Sequence, residues 1–137
     1  MSWDRYSEFD VLDNYACGAT NLLQFQFVTV NASNQLVMPS AGALCMVLYD
    51  APPMSGAYPQ SPSGASIVGT YYTCVFNGIA KVIAGAALNA FVPVTTNSSG
   101  QAVGSPSTGQ FTAGVTMHPC ASGDLVSVKL TFGDIHY

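Results

Sequence analysis

Few side chains of this chain could act as a general acid, a general base or a nucleophile. His118 stands in the polar phase of a strand pattern just before a proline, and His136 is the penultimate residue, so we interpret both as surface histidines. Outside the first 22 residues, each acid lies beside a turn signal, where carboxylates commonly accept backbone N–H groups. These acids are Asp50, Asp124 and Asp134. The sequence therefore predicts no catalytic residue and no enzyme.

Known catalytic and metal-binding motifs are also missing from the sequence. It contains no GxSxG, HExxH, GxGxxG, P-loop or EF-hand spacing. Its cysteines are scattered without a CxxC pair, which argues against a zinc site. In a reducing compartment they are best interpreted as small buried apolar residues, with a disulfide as the alternative. They are Cys17, Cys45, Cys74 and Cys120. We expect no metal and no cofactor.

The composition indicates a weakly charged protein. Its 137 residues fit one domain, and charged residues make up 7% against a typical value of about 25%. Hydrophobic residues reach 49%. A surface rich in Gly, Ser and Thr suits a protein packed in an assembly, where ordering charged side chains would be costly. The alternative is a soluble domain with an uncharged polar surface.

The charge balance argues against nucleic acid as a partner, and the hydropathy pattern argues against a membrane. Only Arg5, Lys81 and Lys129 are basic and the net charge is −4, so the chain cannot neutralise many phosphates. No run approaches the roughly 20 apolar residues of a membrane span. The first ten residues, MSWDRYSEFD, place no apolar stretch behind a basic one. We therefore expect synthesis in the cytoplasm without export by the ordinary signal route.

The stretch Tyr71–Ile83 predicts the centre of an all-β fold. Two β-type runs meet there at Asn77-Gly78, and Asn-Gly is the strongest short signal for a hairpin turn. Little helix is expected elsewhere, although the small-residue segment 84–90 could form one helical turn. We predict a small β-barrel or sandwich, with a β-tulip-like arrangement as one form, organised around this central hairpin.

Residues 1–22 differ from the rest and are interpreted as an extended N-terminal arm. They hold half of the charged residues, interleaved with large apolar side chains that fit no helical stripe. Those side chains must dock on something, which is either this protein's own barrel or sandwich or a neighbouring subunit. The candidate contact residues are Trp3, Tyr6, Phe9, Leu12 and Tyr15.

Residues 23–137 are predicted to form a single β domain. Leu44–Tyr49 is wholly apolar, as in a central strand, and Phe91–Thr96 contains Pro93, which favours an edge. Two segments alternate as half-buried strands, 111–117 and 126–132, joined by a turn at 122–124. Residues 51–66 form a Pro-rich loop, either a contact element or a flexible insertion.

The sequence also contains a weak internal echo. Val28-x-Val30, Asn34-Gln35-x-Val37 and Val47 recur as Val92-x-Val94, Gly100-Gln101-x-Val103 and Val115. The offset grows only from 64 to 68 residues, which indicates two units of strand, turn, strand, loop and strand on either side of the hairpin. Chance similarity among strands rich in Val, Gly and Ser is the alternative.

The order of these elements resembles a known family. The pieces are CVFNGIAKVIAGAAL, VPVTTNSSGQAV and GQFTAGVTMHPCASGDLVSVKL, with turns at Ser99-Gly100-Gln101 and Ser122-Gly123-Asp124. They resemble the small capsid decoration (cement) proteins of tailed bacteriophages, a group once catalogued as a domain of unknown function in phage head-gene clusters. The likeness covers roughly residues 24–132. The sequence departs from the family at Leu88–Phe91, where a Gly-Asp turn is expected, and in the Pro-rich loop.

The resemblance implies an accessory protein on the outside of an assembled phage head. Such proteins bind the major capsid protein, usually as homotrimers at threefold or quasi-threefold positions, and clamp neighbouring capsid subunits. The anchors would be Trp3, Tyr6, Phe9 and Leu12, and deletion of residues 1–15 should abolish head binding while leaving a folded β protein.

Other functions stay open. The chain could be a virion surface or head-fibre module that binds a receptor or glycan through the Pro-rich loop, Tyr58, Tyr71 and Tyr72. A small-ligand β-barrel or minor hydrolase is disfavoured by the scarcity of ionisable groups. A major coat protein is disfavoured by the small size and the lack of helix pattern.

Overall fold

The computed structural model describes residues 9–49, 66–104 and 106–135, and only the backbone of Phe9. These residues form an all-β fold, as predicted, without a helix in the described ranges. The strands are β1 (Phe9–Leu12), β2 (Ala16–Cys17), β3 (Phe27–Val30), β4 (Gln35–Val37), β5 (Met46–Leu48), β6 (Cys74–Ile83), β7 (Pro93–Thr96), β8 (Ala102–Gly104), β9 (Phe111–Thr116) and β10 (Leu125–Ile135).

The strands join in one sheet whose order reveals two equivalent halves. The order is β2-β4-β3-β5-β6-β10-β9-β7-β8, with β1 also on β6. In the first half β3 pairs with β4 and β5, and β5 pairs with β6. In the second half β7 pairs with β8 and β9, and β9 pairs with β10. We call residues 9–78 the first repeat and residues 76–135 the second repeat.

Strand β6 belongs to both repeats. Its N-terminal part is the last strand of the first repeat, where β1 pairs with it, and its C-terminal part is the first strand of the second repeat, where β10 pairs with it. Each repeat is closed by a parallel contact that follows its first strand. This contact is β2 with β4 in the first repeat and Ala84 with Ala102 in the second. The sheet of each repeat therefore curls back on itself.

The equivalence extends to individual hydrogen bonds. The Asn31 side-chain oxygen accepts the N–H groups of Ser33 and Gln35 at 2.9 and 3.0 Å. The Asn97 oxygen, 66 residues further on, accepts those of Ser99 and Gln101 at 2.9 Å each. Both turns are thus fixed by the same Asx geometry. The internal echo therefore marks a structural repeat, but its first strand was aligned two residues off, because Val30 corresponds to Thr96 and not to Val94.

Unusual backbone conformations recur at equivalent positions too. Phe25 and Phe91 both adopt positive φ, at 68° and 59°. Gly69 and Gly123 both have φ of 91°, and each donates its N–H to the carbonyl of a residue in the parallel contact, Cys17 or Ala84. Left-handed backbone is costly for a phenylalanine, so its recurrence at the same place argues against coincidence.

Two clusters of buried apolar side chains stabilise the fold. The core of the first repeat contains Cys17, Leu22, Val28, Leu36, Met46, Leu48, Tyr72 and Cys74. The larger cluster fills the second repeat and extends to the opposite face of the first, and contains Phe27, Cys45, Val47, Val75, Ala80, Val82, Ala84, Leu88, Val94, Ala102, Ala113, Val126, Val128 and Leu130. Phe27 and Val28, adjacent in β3, are both fully buried, so this strand has a core on each face.

The predicted hairpin at Asn77-Gly78 is wrong. Both residues lie inside β6, a continuous ten-residue strand. Gly78 does adopt a positive φ, of 98°, but it does so within the strand, near a register shift in the β1–β6 pairing. The two halves of β6 cannot pair with each other because β1 and β5 occupy one half and β10 the other.

The expected edge position of Pro93 is also wrong. Pro93 opens β7, which lies between β8 and β9. Proline is tolerated at the first residue of a strand because no preceding ladder bond needs its N–H. The segment 84–90 forms no helical turn and instead contributes two isolated bridges, through Ala84 and Leu88. The central strand β5 and the alternating strands β9 and β10 are confirmed.

The described part of the expected N-terminal arm lies within the sheet. β1 and β2 pair with β6 and β4, and Cys17 and Leu22 are fully buried in the core of the first repeat. Residues 1–8 lie outside the described residues, as does the Pro-rich loop apart from Ser66.

Candidate functional site

The predicted contact residues divide into three groups. Trp3 and Tyr6 lie outside the described residues, and Phe9 is known only from its backbone, which pairs with Gly78. Leu12 and Tyr15 are half-buried and pack against the core of the first repeat. These two side chains therefore cover part of the protein's own fold, which was one of the two alternatives given for the arm.

Leu12 and Tyr15 also line an apolar cavity in the described part of the chain. Its volume is about 230 Å³. It opens where β3 and β5 diverge, because their pairing stops at Val28 and Met46. The remaining lining side chains are Val28, Thr29, Val30, Leu44, Cys45, Met46 and Phe132. We call this opening the first-repeat gap.

The equivalent opening of the second repeat is filled. There β7 and β9 stop pairing at Val94 and Gly114. Gly42, from the turn before β5, enters between the diverging strands. Its N–H donates to the Thr96 carbonyl at 2.9 Å, and its carbonyl accepts the Phe111 N–H at 2.9 Å. A backbone segment of one repeat thus completes the sheet of the other.

Gly42 is required at this contact. Its φ is 77°, and a Cβ built on it would lie 2.5 Å from side-chain atoms of Gln110. Moving the Gln110 side chain away would break the hydrogen bond in which its Oε1 accepts the Ser107 N–H at 2.8 Å. Any larger residue would therefore disturb the filled gap.

A second surface feature is the fork between β6 and β10. Their pairing ends at Asn77 and Thr131, beyond which Phe76 and Phe132 meet edge to face with ring centroids 6.1 Å apart. Phe132 is 48% exposed and borders both the fork and the first-repeat gap. Asn77 donates to the Asp10 carboxylate at 2.9 Å. The fork is therefore an exposed apolar edge with one polar bond beside it.

The side chains of His118 and Asp124 each hydrogen-bond to nearby backbone groups. His118 is exposed, with Nε2 accepting the Ser127 N–H at 3.1 Å and Nδ1 lying 3.0 Å from the Pro119 carbonyl. One neutral tautomer, with the proton on Nδ1, satisfies both bonds. The Asp124 carboxylate accepts the Ala121 N–H at 3.0 Å. These contacts agree with the surface histidine and turn-capping interpretations.

The cysteines of the described chain are free thiols. Burial raises the pKa of the Cys45 and Cys74 thiols to about 12 each. The nucleophilic thiolate is therefore scarce at neutral pH, which fits the interpretation of these cysteines as apolar core residues. Within the described ranges, no group of three or more His, Cys, Asp or Glu side chains could hold a metal ion. Those ranges also contain no apolar helix of membrane-spanning length.

The sequence reasoning missed the first-repeat gap. Of its lining residues, only Leu12 and Tyr15 were candidates, for a different reason. The signal was present in the internal echo: aligning the two Asn turns places Val30 opposite Thr96, and aligning the following Gly turns places Leu44 opposite Phe111. What the sequence could not show is that one gap is filled and the other open.

Comparisons with known proteins point to the fold. No protein-family model matches the chain, and no curated protein matches it. Among solved structures, it is similar to "The crystal structure of head fiber gp8.5 N base in bacteriophage phi29". The TM-score is 0.62 at 13% identity, over 93% of this chain and 100% of that chain. The whole described architecture, and not one repeat of it, is therefore shared with that protein.

Proposed function

We propose that this chain is a structural protein of a tailed-bacteriophage head, which attaches to the outer surface of the assembled head and stabilises contacts between major capsid subunits. The observation that carries the proposal is the match to a head-fibre base over nearly the whole chain. The resemblance of its turns and strands to capsid decoration proteins supports the same location independently. Synthesis in the bacterial host and binding without a cofactor complete the proposal.

The surface of the described chain suits attachment through apolar contacts. Its exposed large apolar side chains include Tyr71, Phe91 and Phe132, exposed by 63%, 72% and 48%. Aromatic side chains supply much of the binding energy in protein interfaces. Only Lys81 and Lys129 are basic within the described ranges, which is poor support for a nucleic-acid partner. The chain acts by binding and not by catalysis.

A second candidate, the base module of a head fibre, is favoured by the similar structure itself, which is a head-fibre base. In that case the chain would anchor a projecting fibre rather than clamp capsid subunits. The receptor- or glycan-binding face suggested from the sequence needs correction, because Tyr72 is only 8% exposed and its hydroxyl accepts the Ile67 N–H at 3.1 Å. Tyr71 remains exposed, and Tyr58 lies outside the described residues.

Purified phage particles test the proposal and separate the two candidates. Particles from the phage that carries the gene, with and without it, are compared by quantitative mass spectrometry, cryo-electron microscopy and thermal release of DNA. A decoration protein is expected on the shell lattice, and its loss should lower the release temperature. A fibre base is expected beneath a projection, with an unchanged release temperature. Absence of the chain from the particles would refute both.

A further inference from the structure

We infer that copies of this chain associate through the first-repeat gap, which receives the turn Ser107–Gln110 of a second copy. The inference does not depend on head attachment. It rests on the contact that one repeat already makes with the other inside a single chain.

The donor turn exists in two equivalent versions. In the first repeat, Ala43 donates its N–H to the Ser40 carbonyl at 3.1 Å around Gly42. In the second repeat, Gln110 donates to the Ser107 carbonyl at 2.9 Å around Gly109. Gly42 and Gly109 have similar φ, 77° and 88°. The two turns therefore present the same backbone groups.

Only the first turn is occupied within the described chain. The Gly42 turn inserts into the second repeat. Ser107, Thr108 and Gly109 are exposed, and a Cβ built on Gly109 would meet no described atom within 4 Å. The turn is also uncharged, so burying it against apolar side chains carries no penalty for an ion. The tip of the turn, Ser107 to Gly109, is therefore an unoccupied copy of a docking element.

The acceptor gap likewise exists in two versions, of which one is open. Asn31 donates its N–H to the Gln35 carbonyl, so the neighbouring pair Val30 and Leu36 is a non-hydrogen-bonded pair and the Val30 carbonyl points away from β4. The Thr96 carbonyl has the same orientation in the second repeat and accepts from Gly42. Among the described residues, no third segment bridges Val30 and Leu44.

The contact between copies follows by equivalence. The Gly109 N–H would donate to the Val30 carbonyl, and its carbonyl would accept the Leu44 N–H. The Thr108 side chain would lie at the rim, which Tyr15 and Phe132 line, while the Gln110 side chain stays beside Gly42 of its own chain. Because donor and acceptor are different surfaces, this contact is heterologous and closes into a ring where the rotation between copies permits. The expected homotrimer is one such ring.

Mass photometry and sedimentation of the full chain at increasing concentration test the association. We expect concentration-dependent oligomers. The variant Thr108→Arg should raise the dissociation constant about tenfold or more, because a bulky charge at the tip cannot enter the gap. Ser122→Arg, which also places an arginine in an exposed turn, serves as the matched control and should associate like the unmodified chain. A purely monomeric chain, or equal effects of both variants, would overturn the inference.

Crosslinking identifies the contact itself. A photoreactive phenylalanine at position 108 is introduced into unlabelled protein, which is mixed with ¹⁵N-labelled unmodified protein and irradiated. Peptides containing residues 28–30 or 44–46 should be crosslinked, and they should carry the ¹⁵N label because they come from the other copy. Crosslinks to those peptides only within one chain would show that the turn folds back on its own gap. Crosslinks elsewhere would show a different interface, and either result contradicts the inference.

Discussion

The two repeats share a strand plan but differ in how their sheets are completed. In the second repeat, the space between β7 and β9 is closed by the Gly42 backbone. In the first repeat, the equivalent space between β3 and β5 is an apolar cavity of about 230 Å³. The same architecture thus gives a sealed half and an open half. The gap that is still open to a further contact therefore lies in the first repeat.

The largest effect is expected where the second repeat is sealed. Gly42→Ala places a Cβ in left-handed backbone and against Gln110, and should lower the free energy of unfolding by about 3 kcal/mol. Gly109 has a similar φ, but a Cβ built on it meets no described atom within 4 Å. Gly109→Ala should therefore cost about 1 kcal/mol, from backbone strain alone. Urea denaturation at low protein concentration measures both. Equal losses would mean that sealing the gap adds nothing to stability.

The pH dependence of the unfolding free energy should give the next largest difference between the repeats. The pKa of Cys45 and of Cys74 is raised by burial from the ordinary value of 9.0 to about 12. By strand register, their equivalents in the second repeat are the non-titrating Ala113 and Val128. The unfolded chain therefore loses these protons before the folded chain does. This contribution to stability is present below pH 9 and is lost as pH rises toward 12, by roughly 1 kcal/mol per thiol at pH 10.

The variants Cys45→Ala and Cys74→Ala isolate the contribution of each thiol. Each should flatten the decline of the unfolding free energy between pH 8 and pH 10, although each lowers stability at pH 7 by leaving a small void. The slope, measured by urea denaturation at several pH values, is the readout. An unchanged slope in the double variant would show that neither thiol titrates as its burial implies.

The Asn turns should give equal and smaller effects. Asn31→Ala and Asn97→Ala each remove an acceptor of two backbone N–H groups, and each should cost about 1–2 kcal/mol. The double variant should show the sum, because the turns belong to different repeats. Thermal or urea unfolding measures the three proteins. A clearly larger cost for one turn would contradict the equivalence of the repeats.

The smallest expected difference concerns one hydroxyl. Thr95 is 4% exposed and donates to the Phe111 carbonyl at 2.8 Å, so Thr95→Val should cost about 1 kcal/mol. Its equivalent, Thr29, lines the first-repeat gap. Within the described chain, no carbonyl takes the place that Phe111 has beside Thr95, so Thr29→Val should change stability little. Parallel urea titrations compare the two. A comparable loss for Thr29→Val would mean that its gap is less open than its geometry indicates.

Local patterns predicted the strands better than their partners. The alternation in β9 and β10 and the apolar run of β5 identified these strands because each signal lies within one segment. Asn77-Gly78 and Pro93 were misread because their roles depend on which distant strands lie alongside. Leu12 and Tyr15 were chosen as candidate contact residues for their apolar character, whereas Phe132 lines the same cavity only through the tertiary arrangement.

The sharing of β6 has a mechanical consequence. A ten-residue strand that completes both halves leaves no linker at which the molecule could yield first. Pulling one half apart strips hydrogen bonds from a strand that the other half needs, so tension applied across the chain should unravel everything in a single step.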